Sequence, residues 1–156
     1  MFVMCQPLAG WREVKATEHR KKRDFAMCMQ ELVDIHFPDA ELIRVVLDNL
    51  NTHTPAALYD AFTPDEARRI LRKLEFHYTP NHGSWLNMAE MEISMLVRQC
   101  LKQRIDSVPR LHEVVAWWTR QRNAQAAKIN WCFDVSKART KLSRLYPSLE
   151  TNVVEH

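Results

Sequence analysis

Residues 43–53 read Ile-Arg-Val-Val-Leu-Asp-Asn-Leu-Asn-Thr-His, and this segment decides the fold class. Its first five residues are mainly β-branched and aliphatic, a composition typical of a strand that is buried on both faces of a parallel sheet. Polar residues follow at once, which places Asp48 where the strand meets solvent. Ligands bind at this end of the strands in open α/β sheets, but an Asp here can also simply cap the next turn. The segment by itself leaves both roles open.

Residues 74–90 form a second segment of the same kind, Leu-Glu-Phe-His-Tyr-Thr-Pro-Asn-His-Gly-Ser-Trp-Leu-Asn-Met-Ala-Glu. It predicts a short strand over 74–78 and ends on Glu90, which lies at the start of a helix predicted over 87–103. Between the two segments, Thr-Pro pairs predict helices over 55–61 and 64–73, because Thr is a good capping residue and Pro fits the first turn. The order strand, helices, strand predicts a right-handed parallel unit.

A carboxylate at the end of a strand and another on a nearby helix can together hold a divalent metal for phosphodiester chemistry. Asp48 and Glu90 are the candidates. A Glu in the first turn of a helix can equally serve only to stabilise the helix dipole. Glu92 competes for the same role, and only one of the two can face Asp48, since residues two apart on a helix point to roughly opposite sides. Asn49, Asn51 and His53 could position Asp48 or contact a phosphate, but a histidine at this place is more often a turn or capping residue.

The remaining sequence predicts an N-terminal hairpin and several amphipathic helices. A short apolar run predicts a strand over 2–5, and alternation of polar and apolar residues predicts a second strand over 12–17, with a turn at Pro7–Gly10 between them. Asp24 is predicted to cap a helix that ends before Pro38. Two further helices are predicted over 108–127 and 130–145, the last of them basic. The predicted buried faces consist of Phe25, Cys28, Leu32 and Ile35 on the first helix, and of Met91, Met95, Leu96 and Cys100 on the helix over 87–103.

Composition excludes several classes of protein. Only two glycines occur among 156 residues, so phosphate-cradling loops and dinucleotide fingerprints are excluded. The four cysteines are scattered singly, which predicts free thiols in a reducing compartment rather than a zinc site. No apolar run approaches the ~20 residues that span a bilayer, and no signal peptide is visible. Residues 98–144 contain eleven Lys or Arg against three acidic residues, and 20–23 are all basic, a distribution that fits a polyanionic partner as well as it fits a solvated helix face.

The segment 46–53 together with 78–90 closely resembles the catalytic domain of bacterial insertion-sequence transposases of the DDE (Asp-Asp-Glu) superfamily, which are relatives of the mariner-like elements. Residues 98–101, Arg-Gln-Cys-Leu, and 141–147, Lys-Leu-Ser-Arg-Leu-Tyr-Pro, are also similar to that family. The resemblance covers nearly the whole chain and rests on long motifs.

This resemblance implies an α/β fold of the ribonuclease H type, a mixed sheet flanked by helices, and a mechanism with two Mg²⁺ or Mn²⁺ ions held by three carboxylates. Asp48 matches the second Asp of the family, and Glu90 matches the Glu, because Asn-Met-Ala-Glu aligns with the family pattern Asn-Pro-Ile-Glu. The implied partner is DNA, both element ends and target. Trp85 could stack on a base or anchor the core. The candidate DNA-contacting residues are Asn49, His53, His82, Ser84, Trp85 and Arg98.

The chain departs from the family at its N-terminus, where the first Asp and the central strand that carries it have no counterpart. We therefore expect residues 1–156 to form a single partial catalytic domain (hairpin 1–17, core 24–103, basic helices 108–147) that is truncated and inactive alone. With only two of the three carboxylates, it is expected to bind Mg²⁺ or Mn²⁺ weakly or not at all. A DNA-binding or oligomerisation fragment that modulates a full-length transposase, or a remnant without function, are the alternatives. The expected setting is the bacterial cytoplasm near the nucleoid, and a full-length transposase or the missing segment could be a further partner.

Overall fold

The computed structural model describes residues 1–80, 88–102, 104–130, 136 and 139–140. Among them lie four strands and five α-helices. The strands are β1 (Phe2–Gln6), β2 (Trp11–Lys15), β3 (Ile43–Leu47) and β4 (Leu74–Tyr78). The helices are α1 (Lys22–Glu31), α2 (Ala56–Ala61), α3 (Pro64–Leu71), α4 (Ala89–Cys100) and α5 (Val108–Ala124). No helix in these ranges is both long and apolar enough to cross a membrane.

The four strands form two separate pairs rather than one sheet among the described residues. β1 and β2 are antiparallel, with Met4 opposite Glu13. β3 and β4 are parallel, with Val45 opposite Phe76. The predicted hairpin and the predicted parallel unit are therefore confirmed, while the single mixed sheet is not observed. The architecture is a mixed α/β arrangement of small sheets and helices.

Two hydrophobic cores lie on opposite faces of the β1–β2 hairpin. The larger core joins α1, α2, α3 and the β3–β4 pair, and β1 contributes Phe2 to it. The smaller core joins α4 and α5, and β2 contributes Val14 to it. Successive side chains of a strand point to opposite faces, so one hairpin can serve both cores. Trp118 is the largest side chain fully buried in the smaller core.

The beginning and end of α1 differ from the sequence prediction. Lys21, not Asp24, is the N-cap residue, and Asp24 stands at the third helical position, where its carboxylate accepts a hydrogen bond from the Lys21 backbone N–H at 2.8 Å. The helix continues into a π-helical turn, Leu32–His36. A π turn holds more residues than an α turn, so it rotates later side chains out of the α register. Ile35, predicted to be buried, is 68% exposed for this reason.

Two other burial predictions are wrong. β3 is buried on one face only, since Arg44 and Val46 are exposed, and Val46 is 57% exposed. On α4, Leu96 and Cys100 are buried as predicted, but Met91 is exposed and the third buried position is Glu92. The rotation of α4 about its axis is therefore set by the burial of Glu92, a charged residue that the apolar pattern does not include. The basic helix predicted over 130–145 lies mostly outside the described residues.

Candidate metal and DNA site

Asp48 lies directly after β3, at the end of the strand where the sequence places it. The carboxylate is 30% exposed, and its Oδ1 is 2.7 Å from Nδ1 of His53. A proton on Nδ1 would make this nitrogen the donor and the carboxylate oxygen the acceptor. His53 thus fixes one oxygen of Asp48 and leaves Oδ2 for another ligand.

The imidazole of His53 is itself held from several sides. Its ring stacks on that of Phe25 with centroids 4.8 Å apart, and its backbone carbonyl accepts a hydrogen bond of 2.9 Å from the Tyr78 hydroxyl. Nε2 is buried and has no hydrogen-bond partner among the described residues. A buried N–H without an acceptor would be costly, so Nε2 is the ring nitrogen better left without a proton. This agrees with a proton on Nδ1, facing Asp48. Burial raises the pKa of Tyr78, which keeps its hydroxyl a donor.

Glu90 and Glu92 differ in burial and in the side chains they contact. Glu90 is exposed in the first turn of α4 and lines the same cleft as Asp48, a space of about 590 Å³. Glu92 is 1% exposed and points into the protein. Its Oε1 accepts a hydrogen bond of 2.9 Å from Arg122 and its Oε2 lies 3.0 Å from Nε of Arg12. Glu92 is therefore committed to two arginines, and Glu90 is the α4 carboxylate that borders the cleft.

A basic side chain, Arg20, also borders the cleft. The sequence indicated it only as one of the four basic residues at 20–23. Arg20 lines the cleft together with Asp48 and Glu90. These two are the only carboxylates among the described residues that line it. No group of three or more His, Cys, Asp or Glu side chains in the described part of the chain is arranged to hold a metal ion.

The other candidate DNA contacts are distributed differently. The Asn49 side-chain amide donates a hydrogen bond to the Thr79 carbonyl, which ties the end of β3 to the end of β4. Arg98 is exposed on α4 but does not line the cleft, and its guanidinium donates to the Ser94 carbonyl at 3.2 Å. His82, Ser84 and Trp85 lie outside the described residues.

Comparison with protein families agrees with the residues that lead to this site. The model of the family described as DDE superfamily endonuclease matches residues 1–112, which include β1 through α4 and both cleft carboxylates. The chain belongs to the DDE superfamily endonuclease family. The match confirms the resemblance seen in the sequence and supports nuclease or transposase-type activity on DNA. No curated protein and no solved structure gives a significant match to the chain.

Members of the DDE superfamily endonucleases typically use divalent metals, and the donors in the cleft fit a hard cation. Mg²⁺ prefers oxygen ligands and is commonly held by one or two carboxylates plus water and phosphate oxygens. Asp48 offers Oδ2 and Glu90 offers an exposed carboxylate, so the lining of the cleft carries the number of carboxylates that such a site commonly has. Two ions would need further ligands beyond these two side chains.

Proposed function

We propose that this chain is the DNA-cleaving and strand-transferring part of an insertion-sequence transposase, built on a ribonuclease H-like arrangement, with Asp48 and Glu90 as its metal-binding carboxylates. The observation that supports this most directly is that these two acids border one cleft although they are distant in sequence. A divalent ion bound there would stabilise charge on the phosphate and activate the attacking water or hydroxyl.

Three further residues of the chain have proposed roles around the metal site. His53 holds Asp48 in one orientation through the 2.7 Å contact, so the free carboxylate oxygen keeps a fixed position. Glu90 supplies the second oxygen donor from a helix whose rotation is fixed by the burial of Glu92. Arg20, at the border of the cleft, can pair with a DNA phosphate. We further propose that full activity needs a third carboxylate, supplied by a segment other than the described residues.

Metal binding provides the test, because it does not depend on catalytic turnover. We expect Asp48→Asn and Glu90→Gln each to weaken Mn²⁺ binding, measured by isothermal titration calorimetry, by at least the ~10–100-fold typical of losing a supporting group around a metal. Matched controls are Asp65→Asn and Glu113→Gln, because both side chains are well exposed and lie on other helices. Mn²⁺ affinity equal to wild type in the first two variants would overturn the assignment.

A second assay separates catalysis from simple DNA binding. Nicking of supercoiled plasmid in Mg²⁺ is measured with the chain alone and after addition of a segment that carries the family's first Asp. We expect nicking only when the added segment is present, and its loss in Asp48→Asn. If Asp48→Asn leaves DNA binding intact and no combination nicks DNA, the chain is a binding module instead.

A further inference from the structure

Tyr78 is the last residue of β4, and its side chain ends a row that is otherwise apolar. Successive residues of a strand alternate between its two faces, so Leu74, Phe76 and Tyr78 share one face of β4. Leu74 belongs to the larger core and Phe76 packs against that core, whereas Tyr78 is 41% exposed. A tyrosine suits the end of such a row, because its ring is apolar while its hydroxyl needs a polar partner.

The polar partner of this hydroxyl lies in the loop between β3 and α2. The Tyr78 hydroxyl donates a hydrogen bond of 2.9 Å to the main-chain carbonyl of His53. The beginning of the same loop is tied down separately, since the Asn49 side-chain amide donates to the Thr79 carbonyl. Tyr78 therefore holds the later part of a loop that begins with Asp48.

The position of the His53 main chain matters because the imidazole is in contact with two other side chains. Its ring stacks on that of Phe25, with centroids 4.8 Å apart and planes inclined by 25°. Its Nδ1 lies 2.7 Å from Oδ1 of Asp48. With the main chain held by Tyr78 and one ring face covered by Phe25, few side-chain torsions keep this contact. The direction in which Asp48 presents its other oxygen thus depends on a hydroxyl of β4.

We propose that Tyr78 is a positioning residue for the metal-binding carboxylate of Asp48, and that it acts through the imidazole of His53. Tyr78 does not line the cleft, so its hydroxyl is not placed to contact a metal ion or DNA there. Groups that orient a metal ligand from outside the coordination shell commonly change metal affinity. This inference rests on the proposed function, because it requires that Asp48 binds the metal.

Tyr78→Phe is the direct test, because it removes the hydroxyl and keeps the ring. We expect Mn²⁺ binding to weaken about three- to tenfold in isothermal titration calorimetry, the effect of losing one hydrogen bond. Tyr59→Phe is the matched control. Tyr59 is 48% exposed on α2, and its hydroxyl has no hydrogen-bond partner among the described residues. Its replacement should leave Mn²⁺ affinity at the wild-type value.

A double-mutant cycle separates positioning through the imidazole from a general loosening of the loop. His53→Ala removes the ring but keeps the main-chain carbonyl that accepts from Tyr78. If Tyr78 acts through the ring, Tyr78→Phe should weaken Mn²⁺ binding no further in the His53→Ala background. A loss by the same factor in both backgrounds would show that the hydroxyl only stiffens the loop, and this would overturn the proposal.

The Asp48→Asn variant distinguishes failure of this inference from failure of the proposed function. Weaker Mn²⁺ binding in Asp48→Asn together with wild-type affinity in Tyr78→Phe would overturn the positioning role and leave the metal site standing. Wild-type affinity in Asp48→Asn would remove the metal site and the positioning role together.

A measurement without metal decides the matter if His53→Ala does not fold. The exchange of the His53 Nδ1 proton with solvent is followed by NMR in the ¹⁵N-labelled chain. We expect faster exchange in Tyr78→Phe than in the wild type and in Tyr59→Phe, because the contact with Asp48 opens more often. Equal exchange in all three proteins would contradict the proposal.

Discussion

Replacing Glu92 with Gln removes the negative charge from the most deeply buried ion pair in the described part of the chain. Arg12 and Glu92 are each 1% exposed, and Arg122 is 17% exposed. Breaking a buried pair from one side costs about 3–5 kcal/mol, because the partner charge stays buried without compensation. Arg12 keeps its hydrogen bonds to the Gly10 and Ala127 carbonyls, so we expect the lower end, about 3 kcal/mol. For a chain of this length that lowers Tm by roughly 6–12 °C.

The assay is urea unfolding followed by circular dichroism, with Glu90→Gln as the matched control. Glu90 lies on the same helix two residues earlier but is exposed, so its replacement should change the free energy of unfolding by no more than ~0.5 kcal/mol. The double variant Arg12→Met with Glu92→Leu removes both charges and replaces them with apolar side chains. It should recover most of the lost stability.

Equal stability of Glu92→Gln and Glu90→Gln would refute the reasoning. It would mean that Glu92 is not held by Arg12 and Arg122, and the orientation of α4 that turns Glu90 toward the cleft would lose its physical cause.

Four further predictions concern the hairpin and the thiol of Cys28. Gly10→Ala should destabilise the fold strongly, because Gly10 has φ +70° and an added Cβ would lie 2.4 Å from the Ala126 backbone; thermal melting measures the loss. Asn123→Ala should cost about 1–3 kcal/mol in urea unfolding, because it leaves the main-chain groups of Arg12 without their side-chain partner; Asn123→Asp, which keeps only the acceptor, should fall between. Burial raises the pKa of Cys28 to about 12 from a usual value of 9, so the thiol should resist iodoacetamide at pH 8 until the chain unfolds. Because the unfolded thiol ionises first, the free energy of unfolding should fall as pH rises above 9, and Cys28→Ala should flatten that slope. Rapid alkylation in the folded state would contradict the burial of Cys28.

The strands were the most predictable part of the fold. Residues 43–47 and 74–78 form β3 and β4 with the predicted bounds, since short apolar runs followed by turn residues have few other solutions. Burial was less predictable. The apolar pattern assigned Ile35 and Val46 to the interior, but a π turn exposes the first and an uncovered sheet face exposes the second.

The candidate site was partly accessible from the sequence. The polar residues after β3 predicted Asp48 as a site residue and His53 as a residue that could position it. The two are close in sequence, and their side chains are in contact. The choice between Glu90 and Glu92 rested on a motif match alone. The structure separates them through Arg12, which is eighty residues away from Glu92 and therefore invisible to any local pattern.

The sequence alone determined the order of helices and strands and put an acidic residue at the carboxyl end of β3, because these depend on local alternation and on where polar residues interrupt it. Only the tertiary structure decided which glutamate of α4 borders the cleft that this aspartate also lines. The reason is that a buried guanidinium on β2 and a partly buried one on α5 both pair with the same carboxylate, Glu92, and this pairing fixes the rotation of the whole helix.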